Sequence, residues 1–344
     1  MKMRGFRCAL SSCAAAALLT SCGGSQVTVG TPSVVAQSKK HSATAGYIYV
    51  ANSSKVGPGA TGEVLVYPLL SNGNVSPVQQ ISGSDTQLSQ VNGIAVNAAG
   101  EVYVVDTDTN QIVGFAPGAN GDATPNVVIA GTNTGLAWPI GLAIDKQGNL
   151  YVATCGATCV SSYPPSSVLE FAAGSNGNVS PVKDISGTQT QLSAANGVAV
   201  DASKNIYVSQ NNSIAVFSSS SNGNVAPMSY ISGSATMLNT PDGIAVDNNG
   251  IYAGSCNGAY IERFALNADG NASPLSVIAG HNTQIRSCVD GLAVGRNGVV
   301  YGATFEPRIV GFWGLTDGNV RPKMHISGPN TDLEYPVFLF VTPP

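Results

Sequence analysis

Three observations predict that this chain folds as an all-β, six-bladed β-propeller of four-stranded blades, closed by a C-terminal strand pairing in the first blade. A tyrosine-centred strand occurs six times, as YIYVAN (Tyr49), VYVVDT (Tyr103), LYVATC (Tyr151), IYVSQN (Tyr207), IYAGSC (Tyr252) and VYGATF (Tyr301). An Ile-(Ser/Ala)-Gly element also occurs six times, ending at Gly83, Gly131, Gly187, Gly233, Gly280 and Gly328. A Gly-apolar-Ala-apolar element, however, occurs only five times, at Gly93, Gly141, Gly197, Gly243 and Gly291, and VFLFV at 337–341 stands in the sixth place. A first unit that opens at its second strand and borrows its first from the end of the chain explains this asymmetry. The closed ring removes two sheet edges. An irregular β-sandwich would not explain six equal units with one split.

Each unit of about 45 to 56 residues reads as four strands. The first, such as GIAV, is rich in Gly and Ala because six of them converge on one axis, where backbones approach closely. A tight turn (NAAG, DKQG, DNNG) leads to the tyrosine strand, and a variable loop leads to a third strand such as QIVGFA. An Asn-Gly or Asp-Gly hairpin turn, within NGNVSP or a relative, then leads to a fourth strand such as PVQQISG. Composition agrees, since charged residues are only 10% of the chain and Gly is counted 40 times. Such a composition favours strands and turns over helices.

The amino terminus carries a different signal. Lys2, Arg4 and Arg7 precede the apolar run CALSSCAAAALL, which is too short to span a bilayer, and residues 1–21 read as a signal peptide. Leu19-Thr20-Ser21-Cys22 resembles the lipobox of bacterial lipoproteins, which implies lipidation of Cys22. Gly23 in place of Asp implies, by that resemblance, the outer membrane, facing the periplasm or the cell surface. Residues 22–45 are small, polar and aperiodic and read as the lipidated Cys and a flexible tether, leaving 46–344 for the propeller. Removing residues 1–21 takes away three of the 15 basic residues and none of the 19 acidic ones, so the net charge becomes −7. With no basic patch and no interleaved aromatics, nucleic acid is excluded as a partner. The expected partners are the membrane, through the anchor, and an unidentified protein, glycan or small ligand. A monomer is expected.

PDGIAVDNNGIYAG and ANGVAVDASKNIYVSQ resemble the NHL-repeat family of propellers, and the resemblance covers nearly the whole domain. It implies the fold. It does not select a function, because that family includes binding proteins and enzymes. Function therefore has to be sought on the face that varies. The loops between second and third strands run from SQNNS to the long NSSKVGPGATGE and CGATCVSSYPPSS, and they share a face with the connections between units. That face is the expected binding face.

Just before each first strand stand Asn92, Ile140, Asn196, Asp242 and Asp290, all directed toward one mouth of the ring. ANGVAV followed one unit later by PDGIAV is similar to the gluconolactonase and regucalcin family. The resemblance implies a Ca²⁺ ion in the mouth held by Asn196 and Asp242, with Asp242 as catalytic base. Ile140 departs from the pattern where that family has a second Asn. Glu334 in LEYPVF resembles the family's Glu, although three registers of the last strand would put Glu334, Pro336 or Val337 at the mouth. Carboxylate and amide oxygens suit a hard cation. The plainer alternative is that these side chains cap turns and line a wet channel. Trp138 and Tyr335, each just before a first strand, are candidates to stack on a ligand, or else to pack the wall.

The leading expectation is thus a binding or scaffold module at the envelope. The alternative is a Ca²⁺-dependent lactonase-like hydrolase. Cys155, Cys159, Cys256 and Cys288 are disulfide candidates in an exported chain, with Cys155–Cys159 inside one loop and Cys256–Cys288 tying adjacent units. A four-Cys zinc site is the competing arrangement. Gly57, Gly59 and Gly62 match GxGxxG but have no helix after them, so no phosphate cradle is expected. Asp106 and Asp108 have the spacing of part of a calcium loop and read better as turn residues.

Overall fold

The alternating apolar strands pair as the repeat predicts, into six antiparallel four-stranded sheets. The computed structural model describes residues 46–54 and 59–342, so the expected signal peptide, Cys22 and tether lie outside the described residues. Strands are numbered in chain order. Blade 1 contributes β1 (Tyr47–Ser53), β2 (Gly62–Pro68) and β3 (Gln79–Ile81). Blade 2 holds β4 (Val91–Val96), β5 (Val102–Asp106), β6 (Gln111–Phe115) and β7 (Val127–Ile129). Blade 3 holds β8 (Pro139–Ile144), β9 (Leu150–Thr154), β10 (Ser167–Phe171) and β11 (Lys183–Ser186). Blade 4 holds β12 (Ala195–Val200), β13 (Ile206–Gln210), β14 (Ser213–Phe217) and β15 (Ser229–Ser232). Blade 5 holds β16 (Pro241–Asp247), β17 (Gly250–Ser255), β18 (Tyr260–Phe264) and β19 (Ser276–Ile278). Blade 6 holds β20 (Val289–Val294), β21 (Val299–Thr304), β22 (Arg308–Trp313) and β23 (Met324–Ile326). β24 (Tyr335–Val341) returns to blade 1 and pairs antiparallel with β1, Ile48 opposite Val341 and Ser53 opposite Tyr335, which closes the ring.

The small first strands have the predicted cause. A Cβ on Gly141 would stand 2.4 Å from the Asn196 carbonyl, and one on Gly197 would stand 2.3 Å from the Asp242 carbonyl. Side chains there would push neighbouring strands apart at the axis. The larger residues fill the wedges between blades. Val104, Val113 and Phe115 of blade 2 pack with Val64, Val66 and Ile81 of blade 1, and each of the other five wedges likewise joins two adjacent blades. The strand tyrosines serve the turns, as Tyr151 and Tyr207 donate hydrogen bonds to Asp145 and Asp201 in the turns before them.

One sequence expectation is corrected. The Asn-Gly and Asp-Gly pairs do not make tight hairpins, because β3 begins only at Gln79, well beyond Asn72-Gly73-Asn74. Instead this segment lies along the outer strand of the preceding blade, where Gly73 bridges Ile326. Asn72 Oδ1 accepts from the backbone N–H of His325 at 2.9 Å, and Asn74 Oδ1 accepts from that of Asn330 at 2.8 Å. All six units repeat this clasp. The first residue of the triplet reaches the outer strand of the blade before it. The third reaches the turn beyond that strand. The physical reason is that an outer strand exposes unpaired N–H groups along its edge, and this excursion satisfies them.

Candidate functional site

The first strands leave a cavity of about 320 Å³ at the axis on the variable-loop face. Its lining shows which residue of each blade occupies the mouth. The glycine of one first strand faces the carbonyl of the residue just before the next blade's glycine, namely Ile140 from Gly93, Asn196 from Gly141 and Asp242 from Gly197, and Gly291 faces that of Val337, which precedes Phe338 in the glycine's place. The ring of equivalent positions is therefore Asn92, Ile140, Asn196, Asp242, Asp290 and Val337, all of which line the cavity. Val337, among the three registers considered, takes the sixth place. Glu334 is exposed, does not line the cavity, and uses its backbone N–H on Asn52 Oδ1 at 3.1 Å. Trp138 is half-buried outside the cavity, with its N–H on Asn110 Oδ1 at 2.7 Å. Tyr335 does line it, edge-on to Phe305 with ring centroids 5.4 Å apart.

The two sides of the cavity differ chemically. Ile140 of blade 3 and Tyr335, Pro336, Val337 and Phe338 of β24, which flank Asn92 in the ring, make the more apolar side. Asn196, Asp242 and Asp290 cluster on the other, where Asn196 Nδ2 donates to Asp242 Oδ1 at 2.7 Å. No Lys, Arg or His is among the described residues that line it. Burial, only partly offset by the Asn196 hydrogen bond, pushes the Asp242 carboxyl up to about 6. Burial and the neighbouring Asp242 charge push Asp290 up to about 8. Asn92 is committed elsewhere, because its Nδ2 donates to Thr107 Oγ1 at 2.6 Å and that hydroxyl donates to the Pro139 carbonyl at 2.6 Å. Ser53 Oγ and Gln90 Oε1 are buried polar atoms of lining residues without a hydrogen-bond partner among the described residues.

Both disulfides form, Cys155–Cys159 within the loop after β9 and Cys256–Cys288 between blades 5 and 6. The pairing takes the place of the four-Cys zinc arrangement. Cys256 and Cys288 also line the cavity, a position that chain order alone did not reveal. Cys288 Sγ lies 2.7 Å from Asp290 Oδ1 and 3.5 Å from Asp242 Oδ2, and as a disulfide sulfur it carries no proton, so these are contacts and not hydrogen bonds. Phe305, Gln90 and Ser53 went unnoticed in the sequence. Phe305 had a usable signal, being a large aromatic immediately after β21 on the variable face. Asp106, by contrast, is buried and accepts hydrogen bonds from Ser89, which is a turn role.

The family described as SMP-30/Gluconolactonase/LRE-like region matches residues 72–171. No curated protein matches the chain. A protein of unknown function from Bacteroides caccae is similar in structure at 13% identity and a TM-score of 0.60, covering 87% of this chain and 99% of that one. The WD40 β-propeller domain of Doa1 is similar at 14% identity and a TM-score of 0.52, covering 82% and 79%. A functionally unknown protein from Desulfotomaculum acetoxidans DSM 771 is similar at 14% identity and a TM-score of 0.51, covering 78% and 75%. These likenesses concern the propeller fold. The family match spans Asn92 and Ile140 but ends before Asn196, Asp242 and Asp290.

Proposed function

We propose that this protein is a binding propeller, anchored at the bacterial cell envelope through Cys22, that takes a small ligand into the axial cavity of its variable-loop face. The observation that carries the reading is the division of the cavity wall. Asn196, Asp242 and Asp290, on the successive blades 4, 5 and 6, bring oxygens to one side, and Ile140 of blade 3 with Tyr335, Val337 and Phe338 of β24 brings apolar surface to the other. A ligand that donates hydrogen bonds from one face and offers an apolar second face, as amino and hydroxylated compounds do, matches both sides. The LTSC sequence at 19–22 supports the anchor. The test is a thermal-shift screen of amines, sugars and short glycans on the wild-type protein and on Val337→Trp, which fills the cavity. A compound that raises the wild-type Tm and leaves the filled variant unmoved is expected. No hit, or equal shifts in both proteins, would overturn the reading.

A second reading, a Ca²⁺-dependent lactonase-like hydrolase, draws support from the family match and from Asp242, whose carboxyl is held near 6. Asp242 and Asp290 bring carboxylate oxygens together beside Asn196, without a cationic side chain among the described lining residues, and they fit a hard divalent ion whose remaining positions go to water or substrate. Such an ion, when bound, polarises a carbonyl oxygen. Asp242 would accept the proton of the water attacking a lactone, and the apolar side would seat the ring of the substrate. Calcium-dependent hydrolysis of a γ-lactone that disappears in Asp242→Ala is expected under this reading. Its absence, together with no calcium-dependent Tm shift, would sink it.

A further inference from the structure

Cys256 and Cys288 belong to two different blades, yet both line the axial cavity beside Asp242 and Asp290. One ligand atom from each of these four side chains, two sulfurs and two carboxylate oxygens, falls within 4.8 Å of the other three. We infer that reduction of the Cys256–Cys288 disulfide creates a Cys₂Asp₂ site for a thiophilic, tetrahedral divalent cation such as Zn²⁺. This inference is independent of the ligand-binding reading, since it concerns a different chemical state of the cavity.

The geometry fits. Tetrahedral zinc, with sulfur at about 2.3 Å and carboxylate oxygen at about 2.0 to 2.2 Å, spaces its ligand atoms roughly 3.3 to 3.8 Å apart. Asp242 Oδ2 already lies 3.5 Å from Cys288 Sγ. The two sulfurs must separate from bonding distance to roughly the ligand spacing, and Asp290 Oδ1, now 2.7 Å from Cys288 Sγ, must draw back as well, movements that side-chain rotation supplies without moving a blade. Three blade elements fix the ligands: Asp242 on β16, Asp290 on β20 next to Cys288, and Cys256 directly after β17. Cys256 is further held by its N–H on the Thr240 carbonyl at 3.0 Å. The other cysteine pair does not take part, because neither Cys155 nor Cys159 lines the cavity.

The chemistry balances with a dithiol as reductant. One thiolate of the dithiol attacks a sulfur of the pair, its second thiolate releases the mixed disulfide, and the two electrons leave Cys256 and Cys288 as thiols. Zinc binding would release to solvent the two thiol protons and any proton still on the carboxyls, leaving two thiolates and two carboxylates to hold the ion. In the oxidised protein neither sulfur can supply an anionic ligand, so affinity for soft ions is confined to the reduced state.

The experiment titrates the purified protein with Zn²⁺ by calorimetry and with Co²⁺ by absorbance, before and after reduction with a phosphine that does not chelate metal. The same titrations are run on Cys155→Ser/Cys159→Ser, Cys256→Ser/Cys288→Ser and Asp290→Asn. Expected are one zinc per reduced chain, bound at least a hundredfold tighter than by the oxidised chain, and thiolate-to-cobalt absorption of tetrahedral intensity. Both signals persist in the Cys155/Cys159 variant and vanish in the Cys256/Cys288 variant. Asp290→Asn, which leaves the disulfide intact, weakens zinc at least tenfold with an unchanged circular dichroism spectrum. Equal affinity in the two redox states overturns the inference, as does cobalt absorption that survives without Cys256 and Cys288 or an unchanged affinity in Asp290→Asn. Loss of the β-sheet signal on reduction that zinc does not restore overturns it as well.

Discussion

The side chain of Asn74 accepts a hydrogen bond from the backbone N–H of Asn330 at 2.8 Å, joining residues 256 positions apart across the seam where the ring closes. Gly328 makes the contact possible, since a Cβ there would lie 2.6 Å from Asn74 Oδ1. Asn74→Ala should cost about 1 kcal/mol, the worth of one such hydrogen bond. Gly328→Ala should cost more, about 2 to 4 kcal/mol, because overlap adds to a backbone held at φ +128. In the double variant the loss should fall short of the sum, since removing Asn74 relieves the overlap. Urea unfolding of the four proteins measures this, and strict additivity would show that Gly328 is needed for its backbone conformation alone.

Removing residues 335–344 takes away β24 and leaves the inner edge of β1 unpaired. Phe338, Leu339 and Val341 leave the wedges on either side of blade 1. The truncated chain should lose cooperative thermal unfolding and gain binding of a hydrophobic dye. Retention of a sharp transition within a few degrees of wild type would contradict the closure argument.

Glu262 is fully buried on β18, with Oε1 accepting from Ser255 Oγ at 2.7 Å and Oε2 without a partner. Burial pushes its carboxyl up to about 8, and the charged or titratable group facing it is Tyr260. The folded state therefore keeps a proton that the unfolded chain releases near pH 4.5, so this residue's contribution is present at acid pH and falls away as pH rises toward 8. Glu262→Gln should flatten stability across that window and raise the Tm at pH 8. Identical pH profiles for the two proteins would refute the assignment.

Ile140 occupies the mouth position between Asn92 and Asn196. Ile140→Asn adds an amide oxygen at the position next to Asn196 in the ring and should increase a calcium-dependent Tm shift, corresponding to about tenfold tighter binding, if the hydrolase reading holds. Calcium titration followed by calorimetry checks it. An unchanged affinity would mean that the Asp242 and Asp290 side of the cavity is out of reach of position 140.

The propeller was legible in the sequence because its signals are local and repeat: a tyrosine strand, a Gly-Ala strand and a turn in each unit. The split unit revealed even the closure. The clasp was not legible, because the Asn of one repeat and the Gly of another are matched only across blades, and a dipeptide such as Asn-Gly has the same appearance in a hairpin. At the site, Asn196, Asp242 and Asp290 could be placed at one mouth from their position before each first strand. The register of LEYPVF could not be read, since Pro336 and the bulge between Val50 and Asn52 opposite it break the pattern. Cys288 stands two residues before Asp290 in the sequence, but the approach of Cys256 and Cys288 to Asp242 joins different blades and could not be read from chain order.

The seam between β1 and β24 also sets an order of events in time. The first strand of the propeller to be synthesised has its partner only when the last one emerges, so every intermediate along the way carries an open edge at Tyr47–Ser53. Blades 2 to 6 each hold all four strands locally and can form as the chain lengthens, whereas blade 1 waits. The seam is therefore the step at which a half-made molecule is open to pairing with a neighbour, and the clasp of Asn72 and Asn74 on blade 6 locks the finished one.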